Sequence, residues 1–193
     1  MDMTFTQAYL QALQQVIGQL DTAKIEQWIQ ILKTARDNGN RLFIIGNGGS
    51  GAIASQIIPD FNKGGSLGKP KRFKMITLTD NTPWITALAN DISYESVFVE
   101  QLKNFAEKGD VLIALSGSGK SPNVLRAVEY CNSIGCETLS ISGFGGNELS
   151  QIAKSALVVP AHHMGRVEDC MFIITHILAY YFMEGKDVEA PRF

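Results

Sequence analysis

Residues 116–123 read SGSGKSPN, after the apolar run 111–115 (VLIAL) and before 124–135 (VLRAVEYCNSIG), whose apolar residues recur at helical spacing. A strand that ends in small hydroxyl residues and turns straight into a helix aims backbone N–H groups, serine hydroxyls and the positive end of the helix at one point. That point suits a phosphate. Pro122 fits the first helical position, where its missing N–H costs nothing, and Ser121 before it is placed to cap the helix through its side-chain oxygen. Lys120 adds a positive charge.

The same alternation of short apolar runs and helical segments extends to both sides. Strands are expected at 41–45 (RLFII), 74–79 (KMITLT), 110–115 (DVLIAL), 136–142 (CETLSIS) and 155–160 (SALVVP), with helices at about 49–58, 83–106, 122–134, 146–153 and 166–184. Such a pattern predicts an α/β fold: a three-layer, doubly wound, five-stranded parallel sheet with helices on both faces. Ahead of it, residues 5–20 and 25–35 read as a helical hairpin, with Asp21 and Thr22 as turn and cap. Its apolar stripe, which includes Tyr9, Leu10, Leu13, Val16, Ile17 and Leu20, is wide for a helix covering one edge and suggests a subunit interface. The whole chain, 1–193, is expected to be one domain: a hairpin to residue 38, a core over 39–185 and a tail over 186–193. The loosest stretch, 62–70 (NKGGSLGKP), reads by composition as a mobile loop.

In the flavodoxin-like strand order 2-1-3-4-5, assumed from the fold class, a ligand binds at the switch point beyond the carboxyl ends of strands one and three. Those ends carry the two most unusual loops, GNGGSG at 46–51 and SGSGKS at 116–121. One phosphorylated ligand could use both. GNGGSG also satisfies G-x-G-x-x-G, but Asp80, the candidate ribose acid, falls well beyond the usual offset of about 20 residues. ALSGSGKS at 114–121 is a degenerate P-loop, yet Pro122 marks a helix start where a P-loop helix would already be running. Neither supports a nucleotide.

Charge and composition narrow the class further. With 17 basic and 19 acidic residues the net charge is -2, without basic clusters that would track a nucleic-acid backbone. Cys131, Cys136 and Cys170 lack Cys-x-x-Cys spacing and sit in apolar patterns, so they read as reduced core residues of a cytoplasmic protein. The N-terminus has no basic start leading into an apolar stretch. The longest apolar run, 171–183, is too short to span a bilayer, so neither membrane nor nucleic acid is an expected partner.

The ordered set GNGGSG, LTDN (78–81), ALANDISY (87–94), GDVLIALSGSGKSPNV (109–124) and GRVEDCMFIITHIL (165–178) resembles the SIS (sugar isomerase) domain family. Among its members the chain is most similar to phosphoheptose isomerases, which interconvert sedoheptulose 7-phosphate and D-glycero-D-manno-heptose 7-phosphate. The resemblance implies that Ser116, Ser118 and Ser121 hold the sugar phosphate, that Asn47, Gly48 and Ser50 line the same site, and that Asp80 and Asn81 contact sugar hydroxyls. It also implies a homotetramer whose sites draw on neighbouring subunits. Where the family has Ser-Thr-Ser-Gly-Asn-Ser, this chain has Gly117 and Lys120.

Aldose–ketose exchange through an enediol needs a base that moves a proton between adjacent carbons and an acid that serves the oxygens. Asp60 and His176 align with the family's Glu base and His acid, Asp60 being one methylene shorter. Taken alone, His176 would read as a helix histidine satisfied by a neighbour; the surrounding motif reverses that. Some relatives place zinc here, and the matching positions are Gln56, Asp60, Glu168 and His176, with Glu168 also at a substrate-binding position. The imidazole expected at 56 has become an amide, which weakens the case for zinc in particular, while the amide at 168 has become a carboxylate, so Asp60, Glu168 and His176 keep three good ligands and one divalent metal per subunit stays open.

Other polar residues carry blander readings: His162 and His163 as a solvated loop pair, Asp169 as a cap or a pairing partner within the first turn of the last helix, Trp84 and Phe98 as core, Glu95, Glu100 and Lys103 as a solvated face. Pro59 should bend or end its helix near Asp60. The competing functional class is a non-catalytic SIS protein that binds a sugar phosphate or a replication initiator.

Overall fold

All five expected strands form, and the computed structural model, which describes residues 3–186, pairs them in parallel. The elements run α1 (Phe5–Ile17), α2 (Thr22–Asn38), β1 (Leu42–Ile45), α3 (Gly48–Gln56), a π-helix (Asp60–Gly64), β2 (Met75–Thr77), α4 (Thr82–Asp91), a 3₁₀ turn (Tyr94–Ser96), α5 (Val99–Phe105), β3 (Val111–Ser116), α6 (Pro122–Ile134), β4 (Glu137–Ser142), α7 (Asn147–Ile152), β5 (Ser155–Val158) and α8 (Met164–Met183). Beyond Lys186, the expected tail lies outside the described residues. The sheet order is β2-β1-β3-β4-β5, so the first crossover reverses between β1 and β3, as assumed from the fold class.

Alternate strand residues divide the core into two layers, because successive side chains leave a strand on opposite faces. Leu42, Ile44, Ile113 and Leu115 pack with Trp28 and Leu32 of α2 and Ile174 and Phe182 of α8. Phe43, Ile45, Leu112 and Ala114 pack with Leu102 of α5 and Val124 and Val128 of α6. Each buried Val, Leu, Ile or Phe side chain among these contributes about 1.5–3 kcal/mol. Asp21 caps α2 by accepting the Lys24 N–H at 2.9 Å, and the Trp28 indole donates to Ser155 Oγ at 2.7 Å, tying that helix to the edge strand.

Two expectations are corrected. The single helix expected over 83–106 is broken: α4 ends at Asp91, a 3₁₀ turn follows, and α5 starts at Val99. The apolar period runs on, but Ser93 is extended, with its hydroxyl 3.0 Å from that of Ser96, and short polar side chains of this kind divert the backbone from the helical ladder. The stretch 62–70, loosest by composition, is pinned. Asn62 exchanges hydrogen bonds with the Met75 backbone at 2.8 and 2.9 Å, and the buried Ser66 hydroxyl links Phe61 to Phe73.

α1 is only lightly anchored. Val16 is its only buried residue, while Phe5 and Leu10 are 84% and 59% exposed. Cys131, Cys136 and Cys170 are free and buried, as expected of core thiols. Among the described residues no helix is long and apolar enough to cross a membrane.

Candidate active site

The turn from β3 into α6 is built around Ser116, the last strand residue, which is buried. Its hydroxyl lies 3.1 Å from that of Ser121 and accepts the Gly119 N–H at 3.2 Å. Ser121 does occupy the cap position of α6, with Pro122 in the first turn, but it makes no capping bond through its side chain. The hydroxyl instead turns back to Ser116, and the two oxygens present one polar point at the helix N-terminus. Ser118 Oγ accepts the Lys120 N–H at 3.2 Å, and the Lys120 side chain is exposed. Gly119 has φ +66°, and a Cβ there would lie 2.2 Å from the Gly146 carbonyl oxygen, so the turn requires glycine. At Gly117 a Cβ would lie 2.3 Å from Met164 Sδ; the thioether stands where the family's threonine would be.

The second loop meets the first through an amide pair. Asn47 Nδ2 donates to Asn123 Oδ1 and Asn123 Nδ2 donates to Asn47 Oδ1, each at 2.9 Å, while Tyr94 Oη donates to Asn47 Oδ1 at 3.0 Å. The two loops therefore face one crevice, as the strand order requires. Beside them a cavity of about 260 Å³ is lined by Asn47, Gly48, Ser55, Thr79 and Tyr94 among others. Asp80 stands at its edge, accepting from Ser55 Oγ, and Asn81 Oδ1 accepts the Trp84 N–H at 3.2 Å and so caps α4. Ser50 departs from expectation: its hydroxyl is buried and donates to Met171 Sδ at 3.7 Å, away from the crevice, because the third residue of α3 faces α8. Asn123, Tyr94, Ser55 and Thr79 were not singled out from the sequence for roles here. Asn123 was within reach, one residue past the helix-starting proline; the others carry no local signal.

Along its length α8 crosses both loops and then leaves them. Met164 packs on Gly117, and one turn later Glu168 lies on the first turn of α3, its Oε1 2.3 Å from where a Gly49 Cβ would be. A carboxylate there complements the positive end of α3. Glu168, Gln56 and Phe172 share a pocket of about 320 Å³. His176, about two turns beyond Glu168, meets Asp60 instead: Nε2 is 3.6 Å from Asp60 Oδ2. Asp60 opens the π-helix directly after Pro59, while the regular helix α3 has already ended at Gln56, short of the proline.

The four positions that the resemblance assigns to zinc thus fall into two pairs, Gln56 with Glu168 and Asp60 with His176. Phe172 stands between them on the same face of α8, its ring centroid 4.3 Å from that of His176. Among the described residues no group of three or more His, Cys, Asp or Glu side chains could hold a metal ion. An apolar ring inside a donor set made of two carboxylates, an amide and one imidazole does not fit a zinc centre.

The remaining expectations divide. His163 caps α8, accepting the Arg166 N–H on its Nδ1 at 3.4 Å, and His162 packs edge-on against Phe144. Asp169 is not a first-turn cap. It accepts from Tyr9 Oη at 2.6 Å, and that hydrogen bond raises the phenol above its ordinary pKa. Phe98 is buried, whereas Trp84 is only half-buried, edge-on to Phe105.

A doubly wound sheet with a serine-lined helix N-terminus at its switch point is the frame of a phosphosugar-binding domain, and the SIS domain family matches residues 4–143. The chain belongs to that family. It is 34% identical to the phosphoheptose isomerase of Geotalea daltonii over 175 residues, 87% of either chain. With the phosphoheptose isomerase of Aquifex aeolicus it shares 32% over 180 residues, 91% of this chain and 85% of that protein. The structure of a phosphoheptose isomerase from Francisella tularensis superposes with a TM-score of 0.85 over 93% of this chain and 95% of that one, at 24% identity.

Proposed function

We propose that this chain is an aldose–ketose isomerase that interconverts sedoheptulose 7-phosphate and D-glycero-D-manno-heptose 7-phosphate. The observation that carries the reading is the Asp60–His176 pair, a base and an acid 3.6 Å apart in a protein whose phosphate-type loop is built of serines at a helix N-terminus. Asp60 removes the proton from C1 of the ketose, the C1–C2 double bond forms, and the C2 carbonyl oxygen takes a proton from His176, giving the enediol. Return of the proton to C2 and loss of the O1 proton give the aldehyde. Nothing is gained or lost overall, so no redox cofactor or nucleotide is required. No step is routed through a metal.

The phosphate is held by the hydroxyls of Ser116, Ser118 and Ser121 and by the first turn of α6, with Asn47, Gly48, Asp80 and Asn81 along the sugar. Met164 packs on that loop, and His176 lies twelve residues further along α8, about 18 Å. The catalytic pair of one protomer serves the phosphate loop of another, in the homotetramer that the family resemblance implies. The exposed apolar residues of α1 and α8, Phe5, Leu10, Ile177 and Tyr180 among them, support such an assembly. Buried free thiols suit a reducing compartment, and we place the protein in the cytoplasm.

The test is a coupled assay of aldose formation from sedoheptulose 7-phosphate. Turnover is expected, with kcat reduced about 10²–10⁴-fold in Asp60→Asn and in His176→Ala. Saturable binding of the sugar phosphate without turnover would overturn the isomerase and leave a sugar-phosphate-binding protein.

A further inference from the structure

We propose that Phe172 is a positioning residue for His176, holding the imidazole against Asp60 by packing; this rests on the isomerase reading above. Glu168, Phe172, His176 and Tyr180 follow one another at intervals of four and so share a face of α8. The Phe172 ring lies against the imidazole, centroids 4.3 Å apart and planes inclined by 43°, while Tyr180 meets it edge-on at 5.8 Å. Between these rings the remaining direction leads to the π-helix, where Asp60 Oδ2 stands 3.6 Å from Nε2.

The need for a wedge follows from exposure. The His176 side chain is 36% exposed, and at 3.6 Å the Asp60 contact is too long to orient it by a hydrogen bond. A half-exposed imidazole whose second torsion is broad would sample several orientations. An acid that must deliver its proton to one oxygen loses rate steeply when misplaced: a 1 Å error costs on the order of a hundredfold. A flat ring against one face and a second ring at the edge remove most of that freedom. Phe172 also lines the neighbouring pocket with Gln56 and Glu168, so the same ring keeps the Glu168 carboxylate apart from the acid.

The experiment compares the full chain with Phe172→Ala, Phe172→Leu and Phe172→Tyr, by steady-state kinetics and by proton NMR of the imidazoles. The chain has 3 histidines, so His176 is assigned from His176→Ala. Expected are a fall in kcat of about ten- to a hundredfold in Phe172→Ala with KM changed less than about twofold. Phe172→Leu, which keeps bulk without a flat ring, should fall between, and Phe172→Tyr should restore kcat. In the wild type the His176 ring protons should be shifted upfield by the adjacent ring and move downfield in Phe172→Ala and Phe172→Leu, while those of His162 and His163 stay put. Wild-type kcat in a folded Phe172→Leu, or a loss that appears in KM alone, would overturn the positioning role. If the wild type itself shows no turnover, the isomerase reading fails; His176 resonances that ignore Phe172→Leu then overturn the stacking on their own.

Discussion

Gly119 shows how one residue decides the phosphate turn. Its φ of +66° and the Gly146 carbonyl that a Cβ would strike leave no room for a side chain, and the struck atom is backbone. Gly119→Ala is therefore expected to destabilise the protein by about 2–4 kcal/mol, read as a lower urea midpoint at unchanged slope. Gly117 is a different case, since only the movable Met164 thioether fills its place. A second residue-scale prediction concerns Asp37. Burial works against its charge, but hydrogen bonds from Lys33 and Arg36 outweigh that and hold the carboxyl below its ordinary value. A depressed carboxylate contributes stability above its unfolded pKa and loses it as pH falls through the folded one. Wild type should thus exceed Asp37→Asn by about 1 kcal/mol at neutral pH, a figure kept low because the side chain is 35% exposed, and the gap should close in acid below the ordinary carboxylate range.

Among the elements, the segment from α3 into the π-helix carries Asp60, the proposed base. Pro59 cannot donate to a helical ladder, and it directly precedes the π-helix that opens on Asp60. Asp60 then faces α8 without the extra methylene of a glutamate. Replacing Pro59 by Ala permits a regular helix and should re-aim the carboxylate, lowering kcat about tenfold with little change in melting temperature. Wild-type kcat in Pro59→Ala would show that the turn owes nothing to the proline. Tyr94 makes a parallel point: the break between α4 and α5 brings its hydroxyl to Asn47, which an unbroken helix would have carried past.

At the scale of the whole molecule, the proposed sharing of a site between protomers is tested by mixing variants. Ser116→Ala and His176→Ala, each nearly inactive alone, should regain part of the activity when unfolded and refolded together, because mixed assemblies contain intact sites. No recovery would mean that one chain supplies a whole site. Chelation is expected to leave turnover and melting temperature unchanged, since Phe172 separates the two halves of the donor set; loss of activity restored by added zinc would overturn that.

Much of this was legible in the chain. Apolar runs with glycine, serine and proline punctuation mark β1, β3 and the start of α6 because strand period, helix period and the missing N–H of Pro122 are local properties. So are the serines of 116–121, whose grouping follows from the turn itself, and the core thiols. The split of 83–106, the pinning of 62–70, the inward turn of Ser50, the Asn47–Asn123 bridge and the wedge of Phe172 were decided only in three dimensions. Each depends on which side chain another element offers across the sheet or across a helix pair, and periodicity along one segment holds no record of what packs against it.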